Sequence, residues 1–339
     1  MTISKNLMLS LVIIGTLVLS CSTAGSKGGS KAKIGFLIRG FVIDRCAKER
    51  DFFVERMNQL GGEAIIADAQ ENDQLQIEQG KQMLEKGVQA LVIFPVNLTT
   101  SAAIIRAAHD KGVPTIAYES LIQNSELDYY ISADNRKGGR LMAEHMVKRV
   151  PQGNYVIIGG DKSDRNAILI KEGNYDVVKP LIKEGKIKVL YDIYADWTAS
   201  EGYKEMKRVL DLSDIQPDAV LCSNDGMATG IIKALDEYGL AGKIPVTGLD
   251  AELSACQRVA QGTQFVTIFK SFKKQAYAAA EMAFKLTTGE KVETNAEVFN
   301  GVRNVPTFLI NPIAVEKDNL KEIIIDGKVY SEQQVYSKN

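Results

Sequence analysis

From Lys31 onward, short apolar runs rich in β-branched residues alternate with longer segments whose apolar positions recur at helical spacing. The pattern predicts strands over residues 32–38, 63–67, 90–94 and 114–118, with helices over 45–60, 73–86 and 101–111 between them. Gly61, Gly87 and Gly112 stand where these helices must stop. The rhythm then repeats. Strands are predicted over 129–131, 154–158, 187–194, 219–221 and 244–249, and helices over 138–150, 165–184, 199–210, 228–238 and 251–261. Strands alternating with helices at this spacing form parallel sheets with helices on both faces.

About ten such units exceed one small sheet, and 339 residues exceed one ordinary core. The expected fold is therefore α/β, as two doubly wound parallel-sheet lobes. Residues 32–133 with 271–303 are assigned to the first lobe and 134–270 with 304–339 to the second. Three strands join them in a hinge, crossing near Ser132–Asp134, Thr267–Lys270 and Val302–Thr307. The polar tail from Ser331 to Asn339 is expected to be disordered or loosely docked.

The first residues follow a different pattern. Lys5 precedes an almost continuous apolar stretch from Leu7 to Leu19, shorter than the ~18–20 residues a spanning helix needs, so residues 1–20 read as a signal peptide. Val18-Leu19-Ser20-Cys21 resembles a bacterial lipobox, with Cys21 as the lipidated residue. Residues 21–31, rich in Gly, Ser and Lys, then form a flexible tether. The expected location is the periplasm or cell surface, anchored to a bacterial membrane through lipid on Cys21.

Composition narrows the chemistry. The formal net charge is −1, which offers no basic face for nucleic acid. Cys46, Cys222 and Cys256 show no CxxC spacing, so neither a zinc site nor a disulfide framework is predicted. Gly159-Gly160 is followed by neither GxGxxG nor Gly-Lys-Ser/Thr, which argues against a phosphate cradle. No nucleophile–base pair is visible, so no catalytic residue, metal or cofactor is assigned.

In open α/β sheets, ligands bind beyond the carboxyl ends of the strands. That rule selects Arg45, Asn97, Glu119, Ser120, Asp134, Asn135, Asp164, Asn166, Trp197, Asn224, Asp225, Asp250 and Lys270. The set holds amides, carboxylates, two cations and the chain's one tryptophan. Carboxylates take hydroxyl protons, amides and cations donate, and an aromatic ring covers a CH face, which suits a neutral polyol. Asn224-Asp225 and Asp250 also stand where helix caps belong.

Several stretches carry a resemblance: Ile43-Asp44-Arg45-Cys46-Ala47-Lys48-Glu49-Arg50-Asp51, Val150-Pro151-Gln152-Gly153-Asn154-Tyr155, Gly159-Gly160, Cys222-Ser223-Asn224-Asp225, Gly248-Leu249-Asp250, Ala260-Gln261-Gly262-Thr263-Gln264 and Phe269-Lys270. From Lys33 to about Ile325 the chain resembles the type I periplasmic sugar-binding family, and within it the xylose receptors of bacterial ABC transporters. The resemblance implies a monomeric receptor that closes on one monosaccharide, xylose or a related sugar, and hands it to a transporter permease. A membrane sensor kinase or chemoreceptor is the alternative partner. It places the sugar contacts on Arg45, Glu119, Ser120, Asn166, Trp197, Asn224, Asp250 and Lys270. The xylose receptors usually carry Asp-Arg at Glu119-Ser120 and Trp at Cys46; Phe41 is the candidate to replace that aromatic face.

Overall fold

The computed structural model describes residues 31–41, 44–212 and 216–337. The leader, Cys21 and all but the last residue of the tether lie outside them. The first lobe opens with β1 (Lys33–Ile38), α1 (Asp44–Gln59), β2 (Glu63–Asp68), α2 (Asp73–Glu85), β3 (Ala90–Ile93), α3 (Ala102–His109), β4 (Thr115–Tyr118) and β5 (Tyr129–Ala133). The chain crosses and continues through α4 (Asn135–Arg149), β6 (Gly153–Gly159), α5 (Arg165–Lys183), β7 (Ile187–Tyr194), α6 (Ala199–Leu212), β8 (Ala219–Cys222), α7 (Asp225–Glu237), β9 (Thr247–Leu249), α8 (Leu253–Gln261) and β10 (Val266–Phe269). It returns through α9 (Phe272–Thr288), β11 (Ala296–Phe299) and β12 (Asn304–Ile310). The last elements are β13 (Ile313–Val315), a π-helical turn Lys321–Asp326 and α10 (Glu332–Tyr336).

The first sheet runs β11-β12-β5-β4-β3-β1-β2, parallel throughout except for the β11–β12 hairpin. In the second lobe β7-β6-β8 and β13-β10-β9 meet at a bridge between Val220 and Val246. The Thr247 hydroxyl holds that seam, accepting from Cys222 N and donating to Cys222 O, both at 2.9 Å. Counted within each lobe, both sheets begin 2-1-3-4-5. Each therefore has a switch point beside its first strand, at β1/β3 and at β6/β8, where crossovers leave in opposite directions and open a crevice. The expected two-lobed architecture holds, with antiparallel strands only at the edges.

Both faces of each sheet are covered. In the first lobe, Phe36, Phe53, Met57 and Tyr118 pack with the alanines of α9 on one face, while Leu37, Leu91, Ile104 and Ile105 fill the other. In the second lobe, Val156, Met206 and Ile231 form one layer and Tyr155, Ile157 and Met142 the opposite one.

Three expectations are corrected. The third crossing lies between β12 and β13, because Asn304–Ile310 pairs with β5 and so stays in the first sheet. Residues 304–310 thus belong with the first lobe, where Asn300 Nδ2 anchors the hairpin by donating to the Ser125 and Ile122 carbonyls. The tail is built in: Ser331 forms a capping box with Gln334, and Val335 is fully buried in a cluster with Cys256, Leu320 and Ile324. Helices α4 and α7 begin three residues earlier than their apolar pattern, since Asp134 accepts from Lys137 N and Asn224 from Met227 N.

Candidate ligand-binding cleft

All eight residues predicted to hold a ligand line one cleft of about 1020 Å³ between the lobes. Arg45, from α1, and Glu119 and Ser120, after β4, come from the first lobe. Asn166 and Trp197 follow β6 and β7, Asn224 and Asp250 follow β8 and β9, and Lys270 follows β10. Of the wider strand-end inventory, Asn135 and Asp164 also line it. Asn97 instead closes its own turn by accepting from Thr99 N and Thr100 N, and Asp134 caps α4.

The centre of the cleft is an alternating charge network. Lys270 Nζ lies 3.0 Å from both Glu119 Oε1 and Asp250 Oδ1, and Arg45 Nη2 lies 3.2 Å from the same Glu119 oxygen. Gln275 Nε2 donates to Glu119 Oε2 at 2.8 Å. Glu119 is 3 % exposed, and burial opposes its charge. Lys270, Arg45 and the Gln275 amide outweigh that and hold its carboxyl well below the usual range. Burial likewise opposes the charges of Arg45 and Lys270, and the carboxylates around them raise both above their ordinary values. Two cations thus face two carboxylates, an arrangement that matches neutral hydroxyls better than an ion.

Behind the network sits Glu49, 1 % exposed, which accepts from the Tyr118 hydroxyl at 3.1 Å and faces Arg45 Nη1 at 3.8 Å. Burial pushes its carboxyl up to about 7, against the pull of Arg45. Asp225, expected as a cap, is instead buried under the cleft. It accepts from Gln264 Nε2 and Thr267 Oγ1, both at 2.7 Å, and burial pushes it up to about 8. Asp250 is not the cap of α8, which starts at Leu253 with Glu252 at the N-cap position and no side-chain cap hydrogen bond.

Three of the cleft residues carry backbone that side chains rarely adopt: φ is 64° at Glu119, 66° at Trp197 and 104° at Asp250. Such conformations cost ~1–3 kcal/mol each and persist where surrounding structure fixes them, as at ligand sites. Trp197 is half-buried, and its indole packs over Gly160, where an added Cβ would meet the ring at 2.3 Å. Gly159-Gly160 is thus a seat for an aromatic ring. Asn224 uses its Oδ1 to cap α7 and its Nδ2 to donate to Trp197 O at 3.3 Å, which joins the two residues.

The aromatic faces differ from expectation. Cys46 points into the first-lobe core and Phe41 lies against Arg50, so neither reaches the cleft. Phe94 and Phe272 do, and the Arg45 guanidinium stands 5.8 and 5.4 Å from their ring centres. Phe94 follows β3 directly, so the strand-end rule reaches it once apolar residues are admitted. Gln275 had a signal too, as the one amide in the apolar stripe of α9. Tyr330 and Gln334, which line the mouth, had none, because the tail carries no strand pattern. Cys46, Cys222 and Cys256 are all buried free thiols.

A two-lobed α/β chain with a polar, charge-balanced cleft at both switch points defines a binding protein that encloses a small solute. The chain belongs to the periplasmic binding protein family, whose domain model matches residues 34–291. It is 39 % identical over 327 residues to a D-xylose-binding periplasmic protein of Haemophilus influenzae, covering 96 % of this chain and 98 % of the relative. It is 36 % identical over 332 residues to a D-xylose-binding periplasmic protein of Escherichia coli, covering 98 % and 99 %. A carbohydrate transporter solute-binding protein of Chloroflexus aurantiacus, solved in complex with D-glucose, superposes with a TM-score of 0.82 at 25 % identity, over 89 % of this chain and 97 % of that one.

Proposed function

We propose that this chain is an extracytoplasmic lipoprotein that binds a monosaccharide, xylose or a related sugar, between its lobes and delivers it to an ABC transporter. The observation that carries the reading is the convergence of Arg45, Glu119, Asn166, Trp197, Asn224, Asp250 and Lys270 on one cleft. Arg45 and Lys270 donate to ring or hydroxyl oxygens, Asp250 accepts from vicinal hydroxyls, Asn166 and Asn224 do both, and Trp197 covers one sugar face. The cleft serves binding, with no group assigned to bond making or breaking. Both curated relatives described above are named for D-xylose, which supports a pentose.

The mechanism follows from the placement of the contacts. A sugar held by both lobes favours the state in which both touch it, and it shifts the hinge equilibrium by that difference in contact energy. The permease then reads the closed pair of lobes. Lipid on Cys21 holds the receptor at the membrane.

The test is calorimetric titration with xylose, ribose, arabinose, glucose and galactose, alongside the fluorescence of Trp197, the sole tryptophan. The expected result is saturable binding of at least one sugar with a change in emission. Silence in both measurements for every sugar overturns the reading.

A further inference from the structure

A second chamber of about 270 Å³ opens beside the cleft, close to the ~300 Å³ lower bound of small-ligand pockets. Ser120, Asn135, Asp164 and Asn166 line both spaces, so they form the neck between them. Beyond the neck the walls come from both lobes: Leu121, Phe299 and Leu309 from the first, Leu169 from α5 of the second. Arg165 and Glu297 add polar groups to these walls.

Two further features stand at this place. Asn135 is 3 % exposed and gives its Nδ2 to Asn166 Oδ1 at 2.9 Å, yet its own Oδ1 has no hydrogen-bond partner among the described residues. A buried acceptor left unpaired costs ~1–3 kcal/mol, and a ligand hydroxyl at the neck satisfies it. Phe299 is 60 % exposed on the β11–β12 hairpin, an unusual position for a phenylalanine with no partner ring among the described residues. Ser120 is the residue that leaves the neck open, since a long side chain there fills it.

We propose that the side chamber is a subsite for a second sugar ring, so that the receptor takes a short oligosaccharide with one ring in the cleft and the next beyond Asn135. The proposal rests on the sugar-binding reading. The linking region passes Ser120, a hydroxyl donates to Asn135 Oδ1, and the CH face of the second ring lies on Phe299, Leu169 and Leu309. The hydroxyl rim of that ring meets Arg165 and Glu297. Walls that alternate apolar carbon with a few charged groups fit a pyranose, which has the same alternation on its faces and edge.

The test titrates the purified protein with xylose, glucose, xylobiose and cellobiose, in the parent and in Phe299→Ala and Leu169→Trp. The disaccharide of any monosaccharide that binds is expected to bind within about tenfold of it. Phe299→Ala should weaken the disaccharide at least fivefold while moving the monosaccharide less than twofold. Leu169→Trp, which fills the chamber, should remove disaccharide binding and keep monosaccharide binding; if it fails to fold, Phe299→Ala alone decides. A monosaccharide that binds while its disaccharide does not overturns the chamber and leaves the sugar reading standing, as do variants that shift both ligands equally. If none of xylose, ribose, arabinose, glucose and galactose binds, and neither disaccharide does, both fall together.

Discussion

Lys270 Nζ, at the end of a second-lobe strand, lies 3.0 Å from Glu119 Oε1, at the end of a first-lobe strand. The two side chains are 7 % and 4 % exposed, so the contact between lobes is almost without water. A buried pair of this kind adds little net stability while intact, but removing one partner strands the other and costs ~3–5 kcal/mol. Lys270→Met is therefore expected to lower unfolding stability by about that amount in urea titrations, because Asp250 loses its cation and Glu119 loses one of its two. Sugar binding is lost with it. A variant that stays as stable as the parent shows that Glu119 is satisfied by Arg45 and Gln275 alone.

Gly160→Ala tests how Trp197 is held. The added Cβ meets the indole at 2.3 Å, so either the ring or the strand end must shift. Overpacking of this size costs ~1–3 kcal/mol. The expected outcome is a lower unfolding midpoint, altered tryptophan emission and at least tenfold weaker sugar binding. Unchanged affinity with shifted emission separates the ring's packing from any role as a sugar platform.

The pH dependence of stability carries a sign that the burial of Glu49 fixes. Its folded carboxyl titrates at about 7, above its ordinary value near 4.5, so the folded state holds a proton that the unfolded chain has released. That contribution is full below pH ~4.5 and is lost as pH rises to about 7. Glu49→Gln imitates the protonated form and keeps an oxygen for the Tyr118 hydroxyl. Between pH 5 and 8 the parent is expected to lose roughly 2–4 kcal/mol more than Glu49→Gln, read from urea unfolding at each pH. Equal losses show that Glu49 stays ionised across the window, paired with Arg45.

These outcomes depend on residues of unequal legibility in the sequence. Strand ends were readable because the apolar runs stop at Tyr118, Cys222, Leu249 and Phe269, and a polar residue one or two positions later (Glu119, Asn224, Asp250, Lys270) falls at the cleft. Capping was harder. Asn224 and Asp225 are adjacent and chemically alike, and only the fold decides that Asn224 faces the helix end while Asp225 turns beneath Gln264 and Thr267. The third crossing was misplaced for a similar reason. Asn304–Ile310 alternates in burial like an edge strand of either sheet, and pairing with β5 settles its lobe. Cys46 was read as the loss of a ligand-facing aromatic because sequence position does not state which side of α1 meets the cleft.

The tail supplies the last prediction. Lys48, on α1 of the first lobe, places its Nζ 4.3 Å from the ring centre of Tyr330, in the segment packed against α8 of the second. Lys48, Tyr330 and Gln334 all line the mouth of the cleft, so this cation–π contact spans the opening a sugar must use. Interactions of this kind at exposed sites contribute ~0.5–1 kcal/mol. If they form chiefly in the closed state, their loss speeds opening and leaves entry little changed. Lys48→Ala and Tyr330→Ala are each expected to raise the sugar dissociation rate about two- to fivefold in stopped-flow fluorescence. The double variant should be no faster than the quicker single one, because each removes the same contact. Additive rates show that the two residues hold the mouth separately and not through one shared contact.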